Sequence, residues 1–320
     1  MHENRLLIVG RILAIVVIAV LVNISPKASA DEDTPGAVYV LTNQPSGNSI
    51  QVYARAADGT LSFAGTFATG GKGAGTGPDP LGSQDSLVLT RGHRLLLAVN
   101  AGSNDVSVFA VDGLNLRLLD KEPSGGQMPV SIGVHEGLVY VLNAGGTPNI
   151  QGFFIEPFRG RLIHLPGSQR NLAGGPSSSP AQVGFSTDGD VLIVTEKATN
   201  KIDTWTVNDD GYAENARTID SSGATPFGFT FVHRFAIISE AGPSALSSYE
   251  VDDDGQPELL TGTLTDTQKA NCWAIATRNG LYAYTTNTAS GTISSYLISR
   301  EGFLSLLAAV AGKTAAGGAP

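Results

Sequence analysis

Beyond residue 30 the chain alternates short apolar runs with turn residues, and the alternation repeats. Tyr39–Asn43 (YVLTN) is followed by Asn48–Tyr53, Leu97–Asn100 (LAVN) by Asn104–Phe109, and Tyr140–Asn143 (YVLN) by Asn149–Phe153. Three further copies end the same run at Glu196, Glu240 and Asn287, then continue into Lys201–Trp205, Leu246–Tyr249 and Thr292–Tyr296. The equivalent positions 43, 100, 143, 196, 240 and 287 are spaced by 57, 43, 53, 44 and 47 residues, a period of the kind that marks propellers and arrays. Each full copy holds four such runs; in the fourth they span 182–185, 191–195, 202–207 and 212–218, with Asp188-Gly189 and Asp210-Gly211 as hairpin signals between them. No sustained 3.6-residue periodicity occurs after residue 30. The pattern predicts an all-β propeller of four-stranded antiparallel blades.

The first copy starts at its second strand, because only Asp31–Gly36 precede Ala37, and the chain stops where a further inner strand would begin. The count is three strands in the first copy and four in each of five more, 23 in all. About six blades are therefore expected, with a gap between the first and sixth copies and an exposed strand edge around Ala37–Thr42, or else a distorted closure. The long first spacing contains the glycine-rich stretch Thr69–Pro80, read as an extended surface loop. It lacks the lysine ending and following helix of a phosphate-binding loop.

Residues 1–30 read as a secretory signal: Arg5 and Arg11 precede the apolar run Ile12–Val22, and Ala28-Ser29-Ala30 offers a cleavage site. Eleven apolar residues fall short of the roughly 20 that a spanning helix needs, so residues 31–320 are expected as a single secreted or periplasmic domain without stable membrane insertion. Removing the signal leaves 17 basic against 28 acidic residues, a net charge of −11. With no clustered basic run in the sequence, nucleic acid is excluded as an expected partner. Cys272 is the only cysteine, so no internal disulfide is available and it reads as a small buried apolar residue.

The runs Pro180–Gly189 with Val194–Ile202, and Tyr284–Tyr296, resemble the lactonase-type seven-bladed propellers, the superfamily of bacterial 6-phosphogluconolactonase and fungal carboxymuconate cyclase. The strands ending in Asn or Glu are also similar to the YVTN repeats of cell-surface propellers. The resemblance implies a Pro-Arg-His start to an inner strand beside an Asn-Glu end to the next. Here Pro180 and Glu196 match, whereas the arginine and histidine positions hold Ala181 and Gln182. Alanine cannot polarise a lactone carbonyl, and glutamine cannot take a proton near neutral pH.

Strand antiparallelism puts the start of each first strand and the end of each second strand at one rim. Gln182, Glu196, Glu240, Asn43, Asn100, Ser131, Asn143 and Asn287 are therefore expected as a polar ring around one mouth of the channel. Glu196 and Glu240 are the candidate catalytic residues. Gln182, Ser131, Asn100, Asn143, Asn287 and Trp273 are the candidate ligand-binding residues, against the alternative that the amides only cap turns and that Trp273 packs in the core. His93, His135 and His233 fall in turns at the opposite rim and His164 on an outer strand, so no catalytic triad is expected. No His/Cys cluster suggests zinc, Asp252-Asp253-Asp254-Gly255 lacks the ligand spacing of a calcium loop, and no cofactor is expected. Two functions remain open: a lactone hydrolase or cyclase acting on a sugar-derived or carboxylated compound, and a non-catalytic propeller binding a glycan, peptide or protein partner.

Overall fold

The computed structural model describes residues 36–75, 79–156 and 159–314; the signal segment lies outside them. Among the described residues there is no α-helix, only a 3₁₀ turn at Gly175–Ser177 and 24 strands in six antiparallel sheets. The first sheet has three strands, β1 (Gly36–Leu41), β2 (Ser49–Arg55) and β3 (Leu61–Ala68). The second is β4 (Leu87–Leu89), β5 (Leu95–Asn100), β6 (Asp105–Asp112) and β7 (Asn115–Pro123). The third runs β8 (Gln127–His135), β9 (Leu138–Gly145), β10 (Asn149–Ile155) and a fourth position divided between β11 (Leu162–His164) and β12 (Arg170–Asn171). Pro166-Gly167 separates those two pieces, since proline cannot donate to a ladder.

The remaining sheets are regular. The fourth is β13 (Pro180–Phe185), β14 (Val191–Glu196), β15 (Lys201–Val207) and β16 (Ala213–Asp220); the fifth is β17 (Pro226–Val232), β18 (Phe235–Glu240), β19 (Ala245–Val251) and β20 (Pro257–Thr265). The sixth is β21 (Asn271–Ala276), β22 (Tyr282–Asn287), β23 (Thr292–Ile298) and β24 (Leu304–Lys313). These are the blades of a β-propeller. The expected run of three strands followed by complete copies is present, with the division of one outer strand accounting for the extra element.

Burial follows position in the blade. β14 and β18 are buried along their whole length, whereas β3 and β16 are mostly exposed. Second strands have neighbours on both faces and both edges, so they are continuous apolar runs such as Val191–Val194; outer strands alternate. Adjacent blades pack through shared clusters: Val99, Val130, Val183 and Val194 join the second to fourth sheets, and Ile237, Ala274 and Tyr296 join the fifth to the sixth. Each fully buried side chain of this kind contributes about 1.5–3 kcal/mol.

No hydrogen bond or apolar cluster among the described residues joins the first sheet to the sixth. β1 pairs with β2 alone. Val40 and Phe63 on the first sheet are 41% and 61% exposed, and Ile275 and Tyr284 on the sixth are 66% and 38% exposed. Phe63→Lys and Ile275→Lys are therefore each expected to leave the thermal midpoint within about 2 °C of the parent, since substitutions at exposed sites usually cost under about 0.5 kcal/mol. A larger drop in a melting experiment would mean that the two faces are packed together in a closed ring.

The glycine-rich stretch differs from the expected surface loop. Thr69, Gly71 and Gly73 are buried between the first two blades. Beyond it, residues 81–86 form a strap across the channel. Ser83 Oγ donates to Val130 O (2.8 Å), Gln84 N to Ala181 O (3.1 Å), and Gln84 Nε2 to Phe229 O (3.1 Å) and Ala274 O (3.0 Å). Ala274 N donates to Gln84 Oε1 (3.0 Å), Trp273 Nε1 to Ser83 O (2.9 Å), and Lys197 Nζ to Gly82 O. One short segment thus ties the third, fourth, fifth and sixth blades together from inside.

Candidate functional site

Four of the polar residues at or near the ends of the second strands, Asn100, Asn143, Glu196 and Glu240, share one job, while Asn287 bonds within its own blade to Thr292 and Ser294. Asn100, Asn143, Glu196, Glu240 and Asn287 are all fully buried, and Asn43 is 7% exposed. Glu196 Oε1 accepts from Gly174 N (2.9 Å) and Oε2 from the Thr199 hydroxyl; Glu240 Oε1 accepts from Gly223 N (2.9 Å). Asn143 Nδ2 donates to Ser124 O (3.2 Å), and Asn100 Oδ1 accepts from Thr69 Oγ1 (2.7 Å). Thr69, Ser124, Gly174 and Gly223 all lie in connectors between one blade's outer strand and the next blade's inner strand. A Cβ on Gly71, Gly126, Gly174 or Gly223 would come within 2.4, 2.6, 2.2 or 2.0 Å of Asn100, Asn143, Glu196 or Glu240 respectively. Only glycine lets the connector lie this close, so the polar strand end and the connector glycine form a repeated clasp.

Burial raises the Glu240 carboxyl above its usual range, against weaker lowering by Ser247, Thr263 and the Gly223 N–H. Beside Glu196, Asp203 is pushed up to about 7, by burial first and also by the Glu196 carboxyl; the Ala173 N–H and Thr218 hydroxyl lower it. Glu196 and Glu240 occupy separate clasps in neighbouring blades.

Ser131 Oγ accepts from Val183 N (3.1 Å), stitching β8 to β13. Trp273 packs edge-on against Phe227 with centroids 5.6 Å apart. Ala181, Phe227 and Cys272 form a small buried cluster, so the position where the resemblance implies arginine is filled by a methyl group packed in the interior. Gln182 Oε1 accepts from Phe229 N (2.6 Å), and its Nε2 donates to Phe229 O (3.1 Å) and Asp85 Oδ2 (2.6 Å).

Asp85 was not singled out by the sequence. It stands at the end of the strap with φ +62°, and its carbonyl accepts from Ile132 N (2.9 Å). Enclosure by protein raises its carboxyl to about 6, with the Gln182 amide as a partial counterweight. The side chain keeps a face on a cavity of about 360 Å³ in the channel, bounded also by His135, Gln182, Phe185, Phe229 and Phe231. This cavity opens away from the strap, toward the rim that carries the turns after the inner strands. His135, the last residue of β8, packs on Phe185 with ring centroids 5.8 Å apart and borders the cavity mouth. His93 and His233 lie in turns at that rim and His164 on β11. Asp253 of the aspartate run meets Asp188 and Asp190 there, all three exposed.

What the fold and site define is a propeller of six antiparallel blades with a small-molecule-sized channel cavity closed at one end by a strap. Among solved structures, the chain is similar to a protein of Lactobacillus plantarum (16% identity, TM-score 0.70, covering 88% of this chain and 83% of that one). It is also similar to a candidate 6-phosphogluconolactonase of Bacteroides uniformis (16%, 0.68, 85% and 80%). The periplasmic gluconolactonase of Pseudomonas aeruginosa aligns less closely (14%, 0.51, 87% and 98%). No family model and no curated protein matches the sequence. The chain shares the β-propeller fold of these proteins, and at these identities the likeness is one of fold.

Proposed function

We propose that this protein is an extracytoplasmic lactonase-type propeller that takes a lactone, or the hydroxylated carboxylic acid derived from it, into the channel cavity above Asp85. The observation that carries the reading is a carboxyl group at the floor of a cavity of about 360 Å³, within the range typical of small-molecule sites. Phenylalanine faces around it suit a sugar ring, and the carboxyl suits its hydroxyls. The signal pattern at residues 1–30 and the periplasmic neighbour support the location. With its carboxyl at about 6, Asp85 is largely ionised near neutral pH and suited to draw a proton from the water that opens a lactone.

A second reading, ligand binding without turnover, is favoured by Ala181 and Gln182. The arginine implied by the resemblance is absent, and the glutamine is spent on Phe229 and Asp85. A panel of sugar lactones followed by NMR separates the readings, because ring opening and line broadening are seen in one experiment. Asp85→Asn is expected to lower turnover about a hundredfold if the protein is a hydrolase, or to weaken binding about tenfold if it is a binder. Glu196→Gln and Glu240→Gln are the opposing arm: if they abolish activity while Asp85→Asn does not, the site belongs at the rim of the clasps.

A further inference from the structure

The arginines of this acidic chain are unevenly spread. Arg94, Arg117, Arg159 and Arg161 line one cleft of about 580 Å³ between the second and third sheets, together with Leu95, Ala110, Leu119 and Gly160. No carboxylate lines it. Arg94 comes from the turn before β5, Arg117 from β7, and Arg159 and Arg161 from the turn leading into β11, so residues from two blades and three distant stretches of sequence converge.

Their positions are held by backbone. Glu156 N donates to Arg161 O (2.8 Å) and Gly160 N to Glu156 O (2.8 Å), closing the turn. Asp120 Oδ2 accepts from Leu162 N (2.9 Å), which ties that turn to β7. Gly160 has φ +67°, and a Cβ there would come within 2.6 Å of Leu119 and 3.2 Å of Leu95. The turn is therefore seated directly on the second blade, and Arg159 and Arg161 stand on either side of the contact.

Of the acids that act on Arg161, Glu156 pairs with its Nε at 3.0 Å, Asp120 holds the Leu162 N–H, and Glu122 acts more weakly than either, while none of the three lines the cleft. Arg94, Arg117 and Arg159 have no ion pair or side-chain hydrogen bond among the described residues, and all three are exposed. Three unneutralised guanidinium groups around an apolar floor repel one another, and a protein of net charge −9 has ample carboxylates with which to pair them. An anion that bridges the forks removes the repulsion and meets donors in the geometry that arginine offers to oxyanions.

We propose that this cleft binds a multiply charged oxyanion, a ligand carrying two or more phosphate or sulfate groups on a body small enough to rest on Leu95 and Leu119. The proposal is independent of the channel reading, because none of the four arginines borders the cavity above Asp85.

Calorimetry on the exported chain with tripolyphosphate and with sucrose octasulfate tests it. At least one probe is expected to bind at low salt and to weaken steeply as salt rises. Arg94→Gln, Arg117→Gln and Arg159→Gln are each expected to weaken it about tenfold. Arg278→Gln, an exposed arginine on the sixth blade, is expected to leave affinity unchanged. None of these side chains has a hydrogen-bond or ion-pair partner among the described residues, so the variants should melt with the parent. Preference for tripolyphosphate assigns phosphate esters, and preference for the octasulfate assigns sulfated sugars. Failure of both probes to bind, or equal weakening by Arg278→Gln, would overturn the proposal.

Discussion

Asn100→Ala is expected to lower the thermal midpoint by roughly 10 °C. Asn100 is fully buried at the end of β5 and uses both ends of its amide. Its Oδ1 accepts from Asn48 Nδ2 (3.0 Å) and Thr69 Oγ1 (2.7 Å), while its Nδ2 donates to Asp105 Oδ1 (2.7 Å) and Ser107 Oγ (2.8 Å). These partners belong to the first blade, the connector and the second blade, so the amide is the knot between them. Truncation strands four polar groups at about 1–3 kcal/mol each. Some will turn to other partners: Asn48 also reaches Val99 O, and Ser107 reaches Thr69 O. A net loss of about 4 kcal/mol, at about 2–4 °C per kcal/mol for a domain of this size, gives the expected shift. Differential scanning calorimetry reads it directly, and a change below about 2 °C would show that water or rearrangement replaces the knot.

The second large effect is on pH. Asp203 and Asp85 have carboxyls raised from an ordinary 3.8 to about 7 and about 6, in both cases by burial first. A raised carboxyl holds its proton more tightly in the folded chain than in the unfolded one. The stabilisation is complete below about pH 4 and is lost as pH rises through 6 and 7. These two groups therefore make the protein lose stability on going from pH 4 to pH 8. For Asp203, 1% exposed, the contribution is on the order of a few kcal/mol, at about 1.4 kcal/mol per unit of difference.

Asp203→Asn is expected to stabilise the fold at pH 8 and to flatten the slope between pH 5 and 7. The asparagine can keep accepting from Ala173 N, while its NH₂ donates to Thr218 and Glu196. Denaturant unfolding across pH checks the slope, and an Asp203→Asn variant that melts lower than the parent at pH 8 would contradict it. Asp188, which burial raises but which its hydrogen bonds from Ser186 and Asp190 lower more in sum, contributes in the opposite sense at acid pH.

The propeller was readable because each blade solves the same problem in the same way. A second strand covered on both faces must be continuously apolar, and an outer strand must alternate. Hairpins favour pairs such as Asp-Gly, and the last part of β5, β9, β14, β18 and β22 carries a polar side chain, so the repeat appears as letters at fixed places. The polar ends at Asn100, Asn143, Glu196, Glu240 and Asn287 were visible for that reason, and so were the three strands of the first blade. Their partners were not visible, because a hydrogen bond from Thr69 to Asn100 or from Gly174 to Glu196 spans tens of residues and leaves no periodic mark. The connector glycines at 71, 126, 174 and 223 were the one signal that could have revealed the clasps.

Asp85 illustrates the rest. In sequence it is one polar residue just beyond a glycine-rich stretch; in the fold, Gln84 beside it bonds to Ala274, 190 residues away. The strap carries the carboxyl to the middle of the channel, where loss of water sets its proton affinity. The four arginines are scattered from 94 to 161, and only the seating of the Gly160 turn on Leu119 brings them to one cleft. Sequence alone determined the repeat, the blade pattern and which strand ends must be polar, because these follow from local burial and turn geometry. Which polar groups are spent holding blades together and which are left facing a cavity was decided by tertiary structure alone, because burial, neutralising partners and open space depend on segments that meet only when the blades pack.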